Sequence, residues 1–253
     1  LATAIGRRAK VTGVGPWPLC GNLFVGIIGA QGLTRKSTAL AFARQVLTQN
    51  FSDEVYSGDT TAEALQKQVL ADCPDRLLLI DEVARLLGRD YRAGMGPLLA
   101  QLYDCPEELT VNRVGDERKK NEERTPIIEP TISILAASTL SWLKGALGDG
   151  DVSGGILSRW LWLVGSATGQ LLPRPPRPDE ITRDALAGRL GNYRDSLAGA
   201  PRLLSMDSAG DSWDKLYREY HRKANNEADG DTFGGFLGRL SGNILPKLAL
   251  LYT

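Results

Sequence analysis

The chain has 253 residues, long enough to bury a sizeable core, and its 42% hydrophobic and 24% charged content is ordinary for a globular protein. Thirty basic residues balance thirty acidic ones, so the chain has no net positive charge that would attract nucleic acid or an anionic membrane. Any site for a polyanion must therefore be local. No apolar stretch approaches the roughly 20 residues of a membrane span and no signal peptide is visible, so we expect a cytoplasmic protein without a membrane partner.

The first informative stretch runs from Asn22 to Val46 and has the order strand, loop, helix. An apolar run from Leu23 to Ile28 leads into a glycine-containing loop, and residues 35–38, Arg-Lys-Ser-Thr, then open a segment with helical spacing. This order predicts a phosphate-binding P-loop, in which loop N–H groups and a helix N-terminus face the phosphates, a lysine reaches the outer phosphates and a hydroxyl holds magnesium. The predicted nucleotide contacts are Gly29, Gly32, Thr34, Arg35, Lys36, Ser37 and Thr38, with Ser37 also a metal ligand.

Two positions depart from the usual G-x-x-x-x-G-K-[ST] pattern. Counting back from Lys36, Ala30 and Arg35 stand where glycines are usual. The stretch is therefore a variant P-loop, and a glycine-rich strand-to-helix turn with a surface lysine is the alternative interpretation.

Residues 38–70 predict alternating helix and strand units. Helical spacing from Thr38 to Gln49 is followed by a short strand over residues 54–57 and by a helix from Ala62 to Leu70, with Thr61 as its N-cap. This alternation predicts an α/β fold with a mainly parallel sheet and helices on its faces.

The second informative stretch, residues 76–87, ends a buried strand in two acids. Four apolar residues, Leu77 to Ile80, precede Asp81 and Glu82, at the carboxyl end of a parallel strand. This is the Walker B pattern of P-loop ATPases, in which the first acid helps to hold magnesium and the second orients or deprotonates the attacking water. The alternative is an acidic pair that stabilises the start of the next helix. The position of the pair one βα unit after a lysine-bearing loop favours the functional interpretation.

Residues 107–130 predict a β-hairpin with a long charged tip, preceded by a helix within residues 91–104. Leu109 and Val111 alternate on one arm, and Ile127 and Ile128 lie on the other. From residue 113 to residue 124 there are five basic and four acidic side chains, a net charge of +1. A solvated loop is therefore the simpler interpretation from the sequence alone.

Two further elements carry polar residues next to apolar strands. The β-rich run from Thr131 to Leu140 is expected to end beside the acid pair, so Ser138 or Thr139 would sense the γ-phosphate or position water, unless the hydroxyl only caps the following helix. Arg159 stands between a loop and a strongly apolar strand, where a guanidinium requires an anion or a carboxylate. A structural salt bridge meets that requirement equally well.

The C-terminal third has a different pattern. The proline-rich residues 171–180 predict a semi-rigid linker, and helical spacing follows over residues 181–197, 208–225 and 233–253. We therefore divide the chain into a P-loop core (1–170), a linker (171–180) and a small helical lobe (181–253). Because the lobe stops inside an apolar helical pattern, we interpret the chain as a fragment of a longer protein.

Cysteine and histidine offer little chemistry. Cys20, Cys73 and Cys105 are widely spaced, which suits a reducing compartment and fits neither a zinc site nor a disulfide framework. The single histidine, His221, lies on a polar helical segment and is expected at the surface.

The order of these motifs resembles an AAA+ ATPase, with a RecA-like P-loop NTPase as the second choice. Residues 132–137 (ISILAA) and 157–160 (LSRW) resemble the sensor-1 and arginine-finger stretches of minichromosome maintenance helicases. The broader similarity, over nearly all of residues 20–253, is to a helicase-like ATPase family of bacteria, phages and plasmids that is often linked to primase modules. It rests on RKST, LLLIDE, the Pro-x-Ile-Ser-Ile-Leu run, G-x-L-S-R and the closing G-x-L-x-R-L…K-L-A-L-L.

The resemblance implies ATP and Mg²⁺ as ligands and gives each motif a role. The residues assigned in this way are Lys36 and Ser37 for phosphate and magnesium, Asp81 for magnesium, Glu82 for the water, and Ser138 or Thr139 as sensor 1.

The resemblance also implies an oligomer. Arg159 would be an arginine finger that completes a neighbouring subunit's site, so hydrolysis would require a homo-oligomer, which we expect to be a hexameric ring. Lys247 would be a sensor-2-like residue, although arginine is usual there. In ring helicases a hairpin before sensor 1 points into the pore, which makes candidate DNA contacts of Arg113, Arg118, Lys119 and Lys120.

Our main hypothesis is an ATP-hydrolysing motor domain of a replication-type helicase or translocase, acting on single-stranded or forked DNA, with a primase module as a further partner. The alternative, from another class, is an ATP-switched oligomerising scaffold or regulator that unwinds nothing. A third interpretation is a degenerate P-loop in a purely structural domain.

Overall fold

The structure is a computed structural model that describes residues 1–87, 94–110, 126–147, 155–166, 177–226 and 234–252. Its strands are β1 (Ala9–Thr12), β2 (Leu19–Cys20), β3 (Phe24–Ile28), β4 (Val55–Tyr56), β5 (Asp75–Ile80), β6 (Glu108–Leu109), β7 (Ile127–Ile128), β8 (Thr131–Ser138), β9 (Trp160–Val164) and β10 (Arg202–Ser205). Its α-helices are α1 (Ala2–Ile5), α2 (Lys36–Leu47), α3 (Ala62–Ala64), α4 (Leu70–Asp72), α5 (Val83–Leu87), α6 (Met95–Tyr103), α7 (Leu140–Ala146), α8 (Glu180–Ser196), α9 (Gly210–Asn226), α10 (Gly235–Arg239) and α11 (Leu245–Tyr252).

A five-stranded sheet of order β4–β5–β8–β3–β9 forms the centre, and every neighbouring pair in it is parallel. β5 and β8 are nearly continuous apolar runs, as expected for strands covered on both faces. Helices α2, α5 and α6 pack on the sheet through β8. The predicted α/β architecture with a parallel sheet flanked by helices is confirmed, and it is compatible with a P-loop fold.

The strand order brings three loops to one edge of the sheet. β8 lies between β3 and β5, with Ile28 opposite Ser138 and Ile80 opposite Ala136. The three strands therefore end at nearly the same level, and the segments that follow them emerge side by side. Such an edge is where parallel sheets bind ligands.

Aromatic side chains pack against one another at the amino half of the sheet. Phe24 of β3 lies 5.1 Å from the ring of Tyr103 and 5.5 Å from that of Trp160, while Trp160 stacks on Trp162 at 5.2 Å. Gly26 is opposite Trp162, and a Cβ at residue 26 would lie 2.3 Å from its indole ring. A glycine is therefore required in the middle of β3 for β9 to pair with it.

A second, three-stranded sheet joins the two ends of the chain. β1 pairs in parallel with β10 and antiparallel with β2, over a small core that includes Ile5, Val11 and Leu250. The C-terminal region is thus not purely helical, as the lobe over 181–253 was expected to be, because β10 adds a strand to it. β10 has only four residues, too few to produce a recognisable alternation, and its partner lies almost 200 positions earlier in the sequence. Of the predicted linker 171–180, residues 171–176 lie outside the described residues.

Local predictions are met at several element boundaries. The Thr61 side chain accepts from the Ala64 N–H and caps the helical segment that begins at Ala62. α2 begins at Lys36, two residues before the predicted start. The base of the hairpin pairs Leu109 with Ile127, and its charged tip is outside the described residues. Within the described ranges, none of the helices combines the length and apolarity needed to cross a bilayer.

Candidate nucleotide-binding site

The loop between β3 and α2 folds back on its own lysine. The Lys36 Nζ donates to the carbonyl oxygens of Gly29 at 2.7 Å and Ala30 at 3.3 Å. Thr34 closes the same loop, since its Oγ1 donates to the Ala30 carbonyl at 2.8 Å. A Cβ at residue 29 would lie 2.5 Å from Thr34 Oγ1, so this tight closure requires Gly29. The Lys36 side chain is therefore half-buried at the start of α2.

Backbone geometry explains why glycine is usual where this chain has Arg35. Arg35 caps α2 with φ 48° and ψ 36°, and Gly32 also has a positive φ of 72°. Glycine adopts the left-handed region without cost, whereas a side chain there costs about 1–2 kcal/mol. Arg35 therefore keeps the backbone path that the glycine would take, at a small cost in stability.

The acid pair meets the loop and the neighbouring strand end. The Ser37 Oγ donates to Asp81 Oδ1 at 2.9 Å, across the gap between α2 and β5. The Ser138 Oγ donates to Glu82 Oε1, and the same carboxylate oxygen accepts from the Ala84 N–H at 3.3 Å. These contacts join the ends of all three strands, so Ser37, Asp81, Glu82 and Ser138 form one connected group.

The structure separates the two sensor-1 candidates. Ser138 is 1% exposed and its hydroxyl is directed at Glu82. Thr139 is instead the N-cap of α7, and its Oγ1 accepts from the Trp142 N–H at 3.2 Å. The geometry therefore assigns the helix cap to Thr139 and the contact with the acid pair to Ser138.

Two adjoining cavities open on this group. The smaller, of about 310 Å³, is lined by the P-loop and α2 start on one side and by Thr139 and Trp142 on the other. The larger, of about 450 Å³, extends along α2 past Arg44 to the loop after β4, including Asp59. Both share the side chains of Ser37, Asp81, Glu82 and Arg85.

The chemistry of the donor set suits a hard divalent cation bound together with phosphate. Ser37 Oγ and Asp81 Oδ1 are two oxygen ligands held side by side. Among the described residues, no group of three or more His, Cys, Asp or Glu side chains could form a metal site by itself. Magnesium commonly takes one or two protein ligands and completes its shell with water and phosphate oxygens. The residues present therefore fit Mg²⁺ with a nucleotide.

Arg159 lies at the opposite end of the sheet. It immediately precedes β9, whose Trp160 is opposite Phe24, whereas the P-loop follows the carboxyl end of β3. From the level of Arg159 to Gly29 there are six residue steps along β3, or about 20 Å at the rise of a strand, so Arg159 does not reach this chain's own site. Its guanidinium donates to the Gly155 carbonyl at 2.9 Å and pairs with Asp104 at 3.4 Å, with the side chain 13% exposed. Arg239, the last residue of α10, lies near this guanidinium. Burial and the positive charge of Arg159 lower the pKa of Arg239.

Lys247 does not join the nucleotide site, contrary to the sensor-2 assignment. It is 2% exposed, and its Nζ donates to Asn22 Oδ1 at 2.7 Å and to the Tyr103 carbonyl at 3.3 Å, 3.8 Å from the centre of the Tyr103 ring. Asn22 precedes β3, so Lys247 is also at the amino end of the sheet. The motif spacing places a lysine in the last helix but cannot indicate which end of the sheet that helix covers.

The same end holds a contact that sequence reasoning missed. Cys20 and Cys105 are far apart in the sequence but interact in the fold: the interaction with Cys105 lowers the pKa of Cys20, and the same pairing raises the pKa of Cys105. Burial lowers the pKa of Lys247 to about 8. The spacing of the cysteines gave no signal, because β2 and the end of α6 meet only in the folded chain.

Among the cavity-lining residues that were not predicted from the sequence are Arg44, Asp59, Arg85 and Trp142. The sequence contained a spacing signal for two of them. Arg85 follows Glu82 by three residues and Trp142 follows Thr139 by three, and residues three positions apart lie on the same face of a helix. For Arg44 and Asp59 only the fold shows the proximity. The predicted DNA contacts Arg113, Arg118, Lys119 and Lys120 lie outside the described residues.

Comparison with known proteins finds distant likeness among solved structures. No protein-family model matches the chain, and no curated protein matches it in sequence. Among solved structures it is similar to the A form apo structure of the NrS-1 C terminal region, with a TM-score of 0.36 and 15% sequence identity. The match covers 81% of this chain and 48% of that chain, so this chain corresponds to about half the length of that protein.

Proposed function

We propose that this chain is an ATPase domain that hydrolyses ATP to ADP and phosphate. The observation that carries the proposal is the connected group at the carboxyl edge of the sheet. Ser37 is hydrogen-bonded to Asp81, and Glu82 to Ser138, directly below the loop that holds Lys36. A lysine, a hydroxyl, two carboxylates and a third-strand hydroxyl are the groups that phosphoryl transfer to water requires, and they converge from three separate loops.

Each residue has a defined task in this proposal. Lys36 leaves the Gly29 carbonyl and binds the outer phosphates, while Ser37 and Asp81 hold Mg²⁺. The bound Mg²⁺ supplies charge stabilisation at the phosphate oxygens. Glu82 accepts a proton from the water whose oxygen bonds to the terminal phosphorus, as the bond to the ADP oxygen breaks. Ser138 donates to Glu82 and thereby holds the carboxylate in position.

Assembly is the second part of the proposal. The class we propose is AAA+, working as a homo-oligomeric ring with Arg159 supplied to the site of a neighbouring subunit. Because Arg159 lies at the amino end of the sheet, away from this chain's own site, it could contact a phosphate only in trans. The ion pair with Asp104 would have to open on assembly, since a guanidinium bound to a carboxylate is not available to a phosphate.

The finer assignment is a replication-type DNA helicase or translocase, with the hairpin tip contacting DNA. The alternative is an ATP-switched scaffold that assembles without unwinding. One observation favours the alternative. Arg159 is mostly buried and already paired with Asp104 in the single chain, so an ATP site that includes Arg159 would form only when subunits assemble.

Steady-state ATP hydrolysis with and without single-stranded DNA tests the proposal. Lys36→Ala and Glu82→Gln are each expected to reduce the rate at least about 100-fold, because they remove a phosphate contact and the proton acceptor. Lys215 on α9 and Glu180 on α8 are exposed, so Lys215→Ala and Glu180→Gln serve as matched controls. Hydrolysis that is unaffected by Lys36→Ala would refute the ATPase. Nucleotide-dependent assembly without DNA stimulation would select the scaffold.

Mixed oligomers test the role of Arg159. Arg159→Ala subunits and Lys36→Ala subunits each lack one half of a shared site, so mixing them should restore part of the hydrolysis that either lacks alone. If both variants assemble but the mixture stays inactive, Arg159 is a structural ion-pair residue.

A further inference from the structure

Helix α5 presents a single side chain to the candidate site. Val83, Leu86 and Leu87 are buried in the main core and Ala84 is also buried, whereas Arg85 is exposed. The Arg85 N–H donates to the Glu82 carbonyl at 3.0 Å, which closes the turn directly after the acid pair. The backbone of Arg85 is therefore fixed relative to Glu82, while its guanidinium remains in solvent.

Arg85 is also the basic residue that faces both cavities. Among the described residues lining them, Arg35 and Lys36 border only the smaller cavity and Arg44 only the larger, while Arg85 borders both. It therefore stands at the junction between the phosphate-binding loop and the space beyond Ser37 and Asp81.

The guanidinium has a weak resting partner. Arg85 Nη1 lies 3.4 Å from Asp59 Oδ2 in the loop after β4, and the side chains are 62% and 58% exposed. Exposed ion pairs contribute little to stability, whereas an arginine–phosphate contact is charge-assisted and commonly bidentate. A phosphate group that enters the junction would therefore displace Asp59.

We propose that Arg85 binds the terminal phosphate of a nucleoside triphosphate held in its own subunit's site and that Asp59 holds the guanidinium while that phosphate is absent. This inference rests on the proposed ATPase function and adds a cation acting in cis to it. Glu82 repels the terminal phosphate, and Arg85 offsets that repulsion from the next turn of the chain. The exchange also releases Asp59, so the loop leading to α3 differs between the triphosphate and diphosphate states.

Isothermal titration calorimetry with Mg²⁺ tests the proposal, using adenylyl imidodiphosphate as the non-hydrolysable triphosphate and ADP as the diphosphate. Arg85→Ala should weaken binding of the triphosphate about tenfold or more and change ADP binding less than about twofold, because one charge-assisted contact to the terminal phosphate is lost. Arg85→Lys should recover part of the loss. Asp59→Asn should strengthen triphosphate binding, since it removes the competing carboxylate.

Two comparisons separate the possible failures. Arg189→Ala, an exposed arginine on α8, controls for loss of a surface charge, and Lys36→Ala should weaken binding of both nucleotides. If the wild type binds both nucleotides and Arg85→Ala weakens neither, or weakens both equally, the assignment of Arg85 is overturned while the ATPase proposal survives. If the wild type binds neither nucleotide, both are overturned.

Discussion

Lys36 and Lys247 lie at opposite ends of the central sheet, and each ammonium donates to two oxygen atoms. Lys36 is half-buried and bonded to its own loop, beside the smaller cavity. Lys247 is 2% exposed and links Asn22 before β3 with the Tyr103 carbonyl at the end of α6. The first lysine can exchange its partners for a ligand without disturbing the core. The second cannot, because its partners are themselves buried parts of the fold.

The same contrast applies to the polar groups around them. At the carboxyl end, Ser37, Asp81 and Glu82 border open cavities, so their partners can change when a ligand enters. At the amino end, Tyr103 and Cys105 are buried against Lys247. One end of the sheet therefore has polar groups that are open to a ligand, and the other has polar groups that hold β2, α6 and α11 together.

Replacing Lys247 should have the largest effect on stability. Lys247→Ala leaves a cavity and unpairs Asn22, so we expect the free energy of unfolding to fall by roughly 2–5 kcal/mol. Lys36→Ala should change it by less than about 1 kcal/mol, because Lys36 lies on a loop. Urea denaturation followed by circular dichroism measures both. Equal urea midpoints for Lys247→Ala and wild type would show that Lys247 has no structural role.

The pKa of Lys247 predicts how its contribution depends on pH. Burial lowers that pKa from 10.5 to about 8, so between these values the unfolded chain holds a proton that the folded chain has released. Stability attributable to Lys247 should therefore rise with pH, by up to about 1.4 kcal/mol per pH unit. Cys20 and Cys105 face the ammonium and also titrate, so the measurement uses a Cys20→Ser, Cys105→Ser background.

In that background, the free energies of unfolding of the chain with Lys247 and of the Lys247→Met variant are compared at pH 8, 9 and 10. The chain with the lysine should gain on the methionine variant at each step, because methionine does not titrate. A constant difference across the three pH values would mean that the folded lysine keeps its ordinary pKa.

The two hydroxyls after β8 should separate stability from activity. Thr139→Ala removes the α7 cap and should cost about 1 kcal/mol of unfolding free energy while retaining hydrolysis. Ser138→Ala releases Glu82 and should lower the hydrolysis rate roughly tenfold. Thermal unfolding and steady-state kinetics on both variants measure the difference. Thr139→Ala with reduced hydrolysis and unchanged stability would reverse the two assignments.

The smallest expected effect concerns the helix start. Arg35→Gly relieves the left-handed backbone strain but increases the conformational entropy of the unfolded chain. The net gain in the free energy of unfolding should therefore not exceed about 1 kcal/mol. Arg44→Gly, in the interior of the same helix, should instead lose about 1 kcal/mol. Differential scanning calorimetry compares the two. A loss of stability in Arg35→Gly would show that the Arg35 side chain contributes more than its backbone costs.

Local patterns predicted the elements well where one signal dominates. The buried runs that became β5 and β8, the Thr61 cap and the base of the hairpin were all correctly predicted, since each depends on neighbours in sequence. The short strand β10 was not predicted, and Lys247 was assigned to the wrong end of the sheet. Both errors involve contacts between residues about 190 or more positions apart, where periodicity carries no information.

The sequence by itself determined the chemistry at the edge of the sheet. A lysine and serine follow one apolar strand, an acid pair follows another and a serine ends a third, so a parallel sheet must present them together. Only the tertiary structure decided which hydroxyl meets Glu82, that Arg85 faces both cavities, and that Arg159 and Lys247 lie at the far end. Strand order and helix docking set those positions, and they are chosen by burial over the whole chain rather than by any local pattern.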